Sequence, residues 1–139
     1  MRYNLNPVET ILDSGAAACI ISTILASKLK IKPDKASDIL VETADGKRKR
    51  SLEIITSVPL ILQGVKFSVD LQMIESIQDT LLLGINWFKA FDARIYFDQD
   101  KLRVKIDGRS IESPIKCIEE TKPFFRILAN TQKVKKKNM

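Results

Sequence analysis

Asp13-Ser14-Gly15-Ala16 is the short motif whose residue types could do acid–base chemistry in this chain of 139 residues. A carboxylate can act as a general acid or base when the fold holds it in place. Asp-Ser-Gly is also an ordinary turn sequence, so a plain turn is the alternative. The sequence contains no histidine, which excludes a zinc site, a Ser-His-Asp triad and a Cys-His pair.

The two cysteines, Cys19 and Cys117, offer little chemistry of their own. Cys19 lies in an apolar run and is interpreted as a small core residue. A disulfide between the two is left open, although a reducing compartment is favoured. No apolar run approaches the roughly 20 residues that span a bilayer. Residues 1–5 lack the apolar stretch of a secretory signal. We therefore expect no membrane partner and a cytoplasmic location.

The net charge of +6 is concentrated at the C-terminal end of the chain. Residues 126–139 carry five basic and no acidic residues, which leaves 18 basic against 17 acidic residues in the first 125. The sequence therefore predicts one domain over residues 1–112, followed by a flexible linker and basic tail over 113–139. A weak nucleic-acid contact through this tail is the alternative to a simply solvated end.

Apolar and turn patterns predict many short strands and two short helices. An apolar strand leads into Asp13, a helix capped by Ser22 follows, and Asp45-Gly46 joins two strands of period two. Asn6-Pro7 is predicted as a turn, and the pattern dissolves past about Pro114. The fold class is therefore all-β, a closed barrel-like domain with one or two short helices. The predicted strands are Val8–Leu12, Ala18–Ile21, Asp38–Thr43, Ser51–Ile55, Val58–Leu62, Val65–Met73, Leu81–Gly84, Arg94–Phe97 and Lys101–Ile106, and the helices are Ile24–Lys30 and Ile85–Phe91.

Three motifs at fixed spacing resemble the retropepsins, the aspartic proteases of retroviruses and LTR retrotransposons. Ile11-Leu12-Asp13-Ser14-Gly15-Ala16 is similar to the family's active-site signature. About 30 residues later Ala44-Asp45-Gly46 looks like the tip of its flap, and Leu82-Leu83-Gly84 then resembles the element that opens its C-terminal helix. Trp87 after this element is typical of the retrotransposon enzymes. The resemblance covers roughly residues 8 to 106.

This resemblance implies an aspartic endopeptidase with Asp13 as the catalytic residue. Two carboxylates a few ångströms apart can share one proton and so provide both a base and an acid. The chain has one Asp-Ser-Gly, so the second carboxylate would come from another copy, and the partners are a homodimer mate and a polypeptide substrate. No cofactor or metal is implied. By resemblance, Ser14, Gly15 and Ala16 support the active-site loop, Ala44, Asp45 and Gly46 form the flap, and Leu82 and Thr80 line side-chain pockets.

Departures from the family pattern leave two alternatives open. Ala17 stands where many viral members have a polar residue, and the segments before Asp13 and after Ile106 do not match the strands that seal viral dimers. One alternative is an inactive dimerisation or peptide-binding module of the same fold. The other is a basic RNA-binding fragment that uses the run Lys47-Arg48-Lys49-Arg50 and the tail. If the chain is a retroelement protease, virus-like particles are a further expected location.

Overall fold

The computed structural model describes residues 1–4, 6–42, 48–76, 78–118, 124–126 and 132–135. Strands dominate this part of the chain, with two short α-helices and a single 3₁₀ turn over Phe97–Gln99. The helices are α1 (Thr23–Leu29) and α2 (Ile85–Ala90). The strands are β1 (Arg2–Tyr3), β2 (Asn6–Pro7), β3 (Thr10–Leu12), β4 (Ile20–Ser22), β5 (Lys35–Glu42), β6 (Arg48–Leu62), β7 (Val65–Ile74), β8 (Leu81–Leu83), β9 (Arg94–Tyr96), β10 (Lys101–Ile106), β11 (Arg109–Pro114), β12 (Lys116–Ile118), β13 (Phe124–Arg126) and β14 (Gln132–Lys135).

The main sheet is a curled half-barrel with strand order β12-β13-β14-β3-β8-β4-β7-β6-β1-β2, and β5 pairs with β6 beside this path. A second sheet has the order β11-β10-β9. The predicted mainly β, retropepsin-like fold with two short helices is confirmed. None of the helices in the described ranges is long and apolar enough to cross a membrane.

β6 is one long strand that serves two hairpins, where the sequence predicted two separate strands. Its first half pairs with β5 and its second half with β7, and the register shifts between Ile55 and Val58. Two carboxylates hold this bulge: the Thr56 N–H donates to Asp34 at 2.9 Å, and the Ser57 N–H donates to Asp70 at 2.8 Å. The bulge joins the β5–β6 arms to the body of the domain.

A single large apolar core lies between the sheets and the two helices, and Trp87 of α2 is buried within it. The Trp87 ring packs edge-on against Phe88 and contacts Phe67 and Phe91 at centroid distances of 6.1 and 6.0 Å. The sequence interpretation of Trp87 as a packing residue agrees with this burial. The helix that follows Gly84 is therefore fixed firmly against the body of the domain.

α1 begins where the sequence predicts a cap. The Ser22 hydroxyl accepts the Leu25 N–H at 3.2 Å and the Thr80 N–H at 3.0 Å, so it satisfies one helix donor and one loop donor. The helix ends at Lys30, which is in the left-handed conformation with φ of 59°.

The two ends of the chain differ from the prediction in detail. Asn6–Pro7 is not a turn but an edge strand paired with Arg2–Tyr3, a position that proline tolerates because no ladder bond needs its missing N–H. β11 pairs with β10 over its whole length and runs to Pro114, across the predicted boundary at 112/113. Beyond it, β14 runs parallel to β3, with Lys133 in register with Ile11. The division into domain and flexible tail stays a prediction.

Candidate active site

Asp13 lies at the end of β3, on a tight turn at the sheet's centre. The Asp13 N–H donates to the Leu83 carbonyl at 3.0 Å, and the Ala16 N–H donates back to the Asp13 carbonyl at 3.1 Å. The Gly15 N–H donates to the Asp13 Oδ1 at 2.9 Å. Only 4% of Asp13 is exposed to solvent. Backbone bonds on both sides therefore fix the direction of a nearly buried carboxyl group.

Gly15 is the residue that this turn requires directly behind the carboxyl group. A Cβ atom at Gly15 would lie 3.2 Å from the Asp13 Oδ1, tighter than most real contacts of this kind. The absence of a side chain lets the Gly15 N–H approach the carboxyl oxygen closely.

Gly84, the last residue of the Leu-Leu-Gly element, packs directly against the backbone of the Asp13 loop. A Cβ atom at Gly84 would lie 2.5 Å from the Ala18 carbonyl oxygen and 2.6 Å from that of Ala16. The Ile85 N–H, one residue on, donates to the Ala16 carbonyl at 2.7 Å. Two motifs that are about 70 residues apart in the sequence thus share backbone atoms in space.

Cys19 is buried next to this contact between Gly84 and the loop. Its thiol donates to the Asn86 Oδ1 at 3.2 Å and accepts the Gly84 N–H at 3.4 Å. Burial raises the pKa of the Cys19 thiol, so it stays protonated and unreactive at neutral pH. Cys19 is a free thiol, in agreement with its interpretation as a core residue.

A cleft of about 300 Å³ opens beside the loop, between it and the arm formed by β5. One wall is Gly15-Ala16-Ala17-Ala18, and the other is Ile39-Leu40-Val41 with Arg48 from β6. Two of these lining residues, Ala16 and Val41, belong to a small apolar cluster that is separate from the main core. It contains Ile11, Ala16, Ile20, Val41, Ile74 and Leu82.

A family model described as "gag-polyprotein putative aspartyl protease" matches residues 1–90 of the chain. The match runs from β1 to the end of α2 and includes the Asp13 loop, both arms of the β5–β6 hairpin and the Leu-Leu-Gly element. This chain belongs to the gag-polyprotein aspartyl protease family. A search of curated proteins finds no match.

Within this protease family member, the loop residues predicted from the sequence come together. Asp13, Gly15 and Ala16 share one turn, and Ser14 lies half-buried between them. Leu82 is buried under the cleft in the same apolar cluster as Ala16. Thr80 is placed differently: its N–H and its carbonyl both bond to Ser22, and it does not line the cleft. The predicted flap residues Ala44, Asp45 and Gly46 lie outside the described residues.

Sequence reasoning missed a buried polar cluster at the base of the protease's β5–β6 hairpin. The hydroxyls of Ser37 and Ser51 donate to the Gln72 Oε1 at 2.7 and 2.9 Å. Gln72 and Ser51 are both buried. The alternation of β7 put Gln72 on the polar face, but its side chain contacts Ser37 of β5 and Ser51 of β6, so no local signal in β7 could have found its burial.

Proposed function

We propose that the chain is an aspartic endopeptidase domain that works as a homodimer, with Asp13 and its symmetry mate as the catalytic pair. The observation that carries the proposal is the nearly buried Asp13 carboxyl group, held by the Gly15 N–H beside an open cleft. The family of the chain supports the same reaction class.

The chemistry needs a second carboxyl group close to the first. An ionised carboxylate takes a proton from water while the water oxygen attacks the peptide carbonyl carbon, and a protonated carboxyl group donates to the carbonyl oxygen. The tetrahedral intermediate then collapses, the C–N bond breaks and the amine leaves with a proton. Like charge keeps two adjacent carboxyl groups in this mixed state. Because the sequence has one Asp-Ser-Gly, two-fold symmetry is the simplest source of the second group.

The remaining roles are proposed from the resemblance to the retropepsins. Ser14 supports the pairing of the two loops, and Ala16 leaves room for a peptide backbone to approach. Ala44, Asp45 and Gly46 at the hairpin tip close over the bound peptide and exclude water. The natural substrate is a polyprotein, as the description of the family suggests. The basic tail makes at most a weak nucleic-acid contact.

The direct test is Asp13→Asn, assayed on a mixed peptide library. The substitution keeps the shape of the side chain and removes the base, so cleavage should fall by at least about a thousandfold while the melting temperature changes little. Asp98→Asn, on the exposed 3₁₀ turn, is the matched control and should cleave normally. Equal cleavage by Asp13→Asn and the wild type contradicts the proposal.

The homodimer is tested by sedimentation and activity over the same concentration series. Specific activity should rise with protein concentration in step with the dimer fraction, because a single chain holds half of the catalytic pair. A protein that remains monomeric at every concentration and is still fully active rules out the shared site.

A further inference from the structure

In the described part of the chain, the cleft beside the Asp13 loop is lined by one charged side chain and otherwise by small and apolar ones. The lining consists of Gly15-Ala16-Ala17-Ala18, Ile39-Leu40-Val41 and Arg48. Neither the alanines nor the aliphatic residues carry a side-chain hydrogen-bonding group. Among the lining side chains that the structure describes, the Arg48 guanidinium is therefore the one that can recognise a polar substituent of a bound peptide.

Neighbouring cations of the same hairpin are already engaged elsewhere. Arg50 forms an ion pair with Asp38, and the Lys49 Nζ donates to the Glu75 carbonyl at 2.8 Å. Both line a separate cavity, of about 550 Å³, on another part of the hairpin. Arg48 forms no ion pair with any side chain that the structure describes. It lies in the last register pair before the hairpin tip, opposite Glu42, whose side chain is outside the described part of the chain.

The chemistry of this position favours an anion. A guanidinium group presents a planar fork of donors that matches a carboxylate in two parallel hydrogen bonds. Arg48 is exposed in the single chain, and a peptide packed against the apolar residues around it would exclude water and strengthen such a contact. An amide side chain of the same shape as glutamate would make weaker, uncharged hydrogen bonds there.

We infer that Arg48 is a specificity-determining residue that selects peptides with an aspartate or glutamate side chain in this cleft, next to the scissile bond. This inference rests on the proposed function for the location of the scissile bond. It narrows the substrate class from any polypeptide to acidic segments. Ala17 and Ala18 contribute by leaving the cleft wide and without a competing polar group.

The test uses pairs of peptides that differ only by glutamate or glutamine at one position near the cleavage site. The wild type should cleave the glutamate peptide with a kcat/KM roughly tenfold higher, the size expected for one hydrogen-bonded charge pair. Arg48→Gln should bring this ratio to about one, and Arg48→Glu should invert it. Arg50→Gln is the matched control, because it removes the same charge from the same hairpin outside the cleft, and it should keep the preference.

Binding of the same peptides to Asp13→Asn, with and without Arg48→Gln, separates this inference from the proposed function. Binding that prefers glutamate through Arg48, without any cleavage by the wild type, supports the inference and overturns the protease. Cleavage with no preference that depends on Arg48 supports the protease and overturns the inference. An equal loss of preference in Arg48→Gln and Arg50→Gln assigns the effect to the general charge of the hairpin and also overturns it, as does a failure to bind or cleave either peptide.

Discussion

The Asp13 loop and the arms of the β5–β6 hairpin are built in opposite ways. The loop is nearly buried and is fixed by backbone hydrogen bonds and by the close approach of Gly84. The arms are mostly exposed, Leu40 among them at 54%, and outside their own β-ladder they are held by side-chain hydrogen bonds and ion pairs. Backbone contacts place a catalytic group accurately, whereas side-chain contacts at an arm can be broken and remade. The first region suits chemistry and the second suits recognition.

Gly84→Ala is the substitution that we expect to disturb the Asp13 loop most strongly. Because the new Cβ atom would lie within 2.6 Å of two carbonyl oxygens, the loop or α2 has to shift. We expect a loss of about 3 kcal/mol or more in the free energy of unfolding, together with loss of cleavage. Urea unfolding and the peptide assay measure the two effects.

Gly108→Ala is the control for Gly84→Ala. Gly108 has φ of 76° and open space around it, so the substitution costs only the left-handed backbone penalty of about 1 kcal/mol. Similar losses in the free energy of unfolding for the two variants would show that Gly84 does not pack tightly against the loop.

A smaller effect is expected for Gln72→Met at the base of the hairpin. The change keeps the volume but removes the acceptor of the Ser37 hydroxyl and one of the two acceptors of the Ser51 hydroxyl, which also donates to the Glu53 carbonyl at 2.9 Å. It should cost about 1 kcal/mol. Hydrogen exchange should speed up in β5 and in the first half of β6, and much less in β3.

Gln78→Met, at an exposed position outside this cluster, should leave the exchange rates unchanged. If Gln72→Met instead accelerates exchange equally in the Asp13 loop, the two regions are not separate units of stability.

The smallest expected effect is the pH dependence of the stability that Asp34 gives to the bulge of β6. Hydrogen bonds from the Thr56 hydroxyl and N–H hold the pKa of Asp34 below its ordinary value of 3.8. The carboxylate therefore stabilises the fold fully above that value, and the contribution is lost as the pH falls through the lower folded pKa. The difference in melting temperature between the wild type and Asp34→Asn should be present at pH 6 and should shrink as the pH is lowered below 3.8. A difference that is independent of pH contradicts the role of this carboxylate, and Asp98→Asn is the exposed control.

The success of the predictions from the sequence also differs between the Asp13 loop and the β5–β6 hairpin. The Asp13 loop and the Leu-Leu-Gly element are short motifs whose residue types depend on local backbone geometry, so both could be recognised in the sequence. Their contact through Gly84 is known only from the fold. Alternation and turn residues likewise predicted most of the strands. The backbone N–H and carbonyl of Thr80 both bond to Ser22, a contact between distant parts of the chain that the sequence does not encode locally.

The parts that the sequence could not predict depend on contacts between distant strands. Gln72 is buried where its side chain meets Ser37 of β5 and Ser51 of β6, contacts that no local pattern encodes. β6 is one strand because Asp34 and Asp70 hold its bulge from two other segments. Arg48 was one of four similar basic residues in the sequence, and only the fold distinguishes it by placing it at the cleft.

The central claim, a catalytic pair shared between two copies, is tested most directly by mixing wild-type and Asp13→Asn chains. The two proteins are refolded together at equal amounts and fixed total concentration, and capture on a tag carried by one of them confirms that mixed dimers form. Because only dimers with two intact Asp13 residues would be active, random pairing predicts about one quarter of the wild-type activity. A value near one half, proportional to the wild-type chains present, would mean that each chain acts alone and would contradict the account.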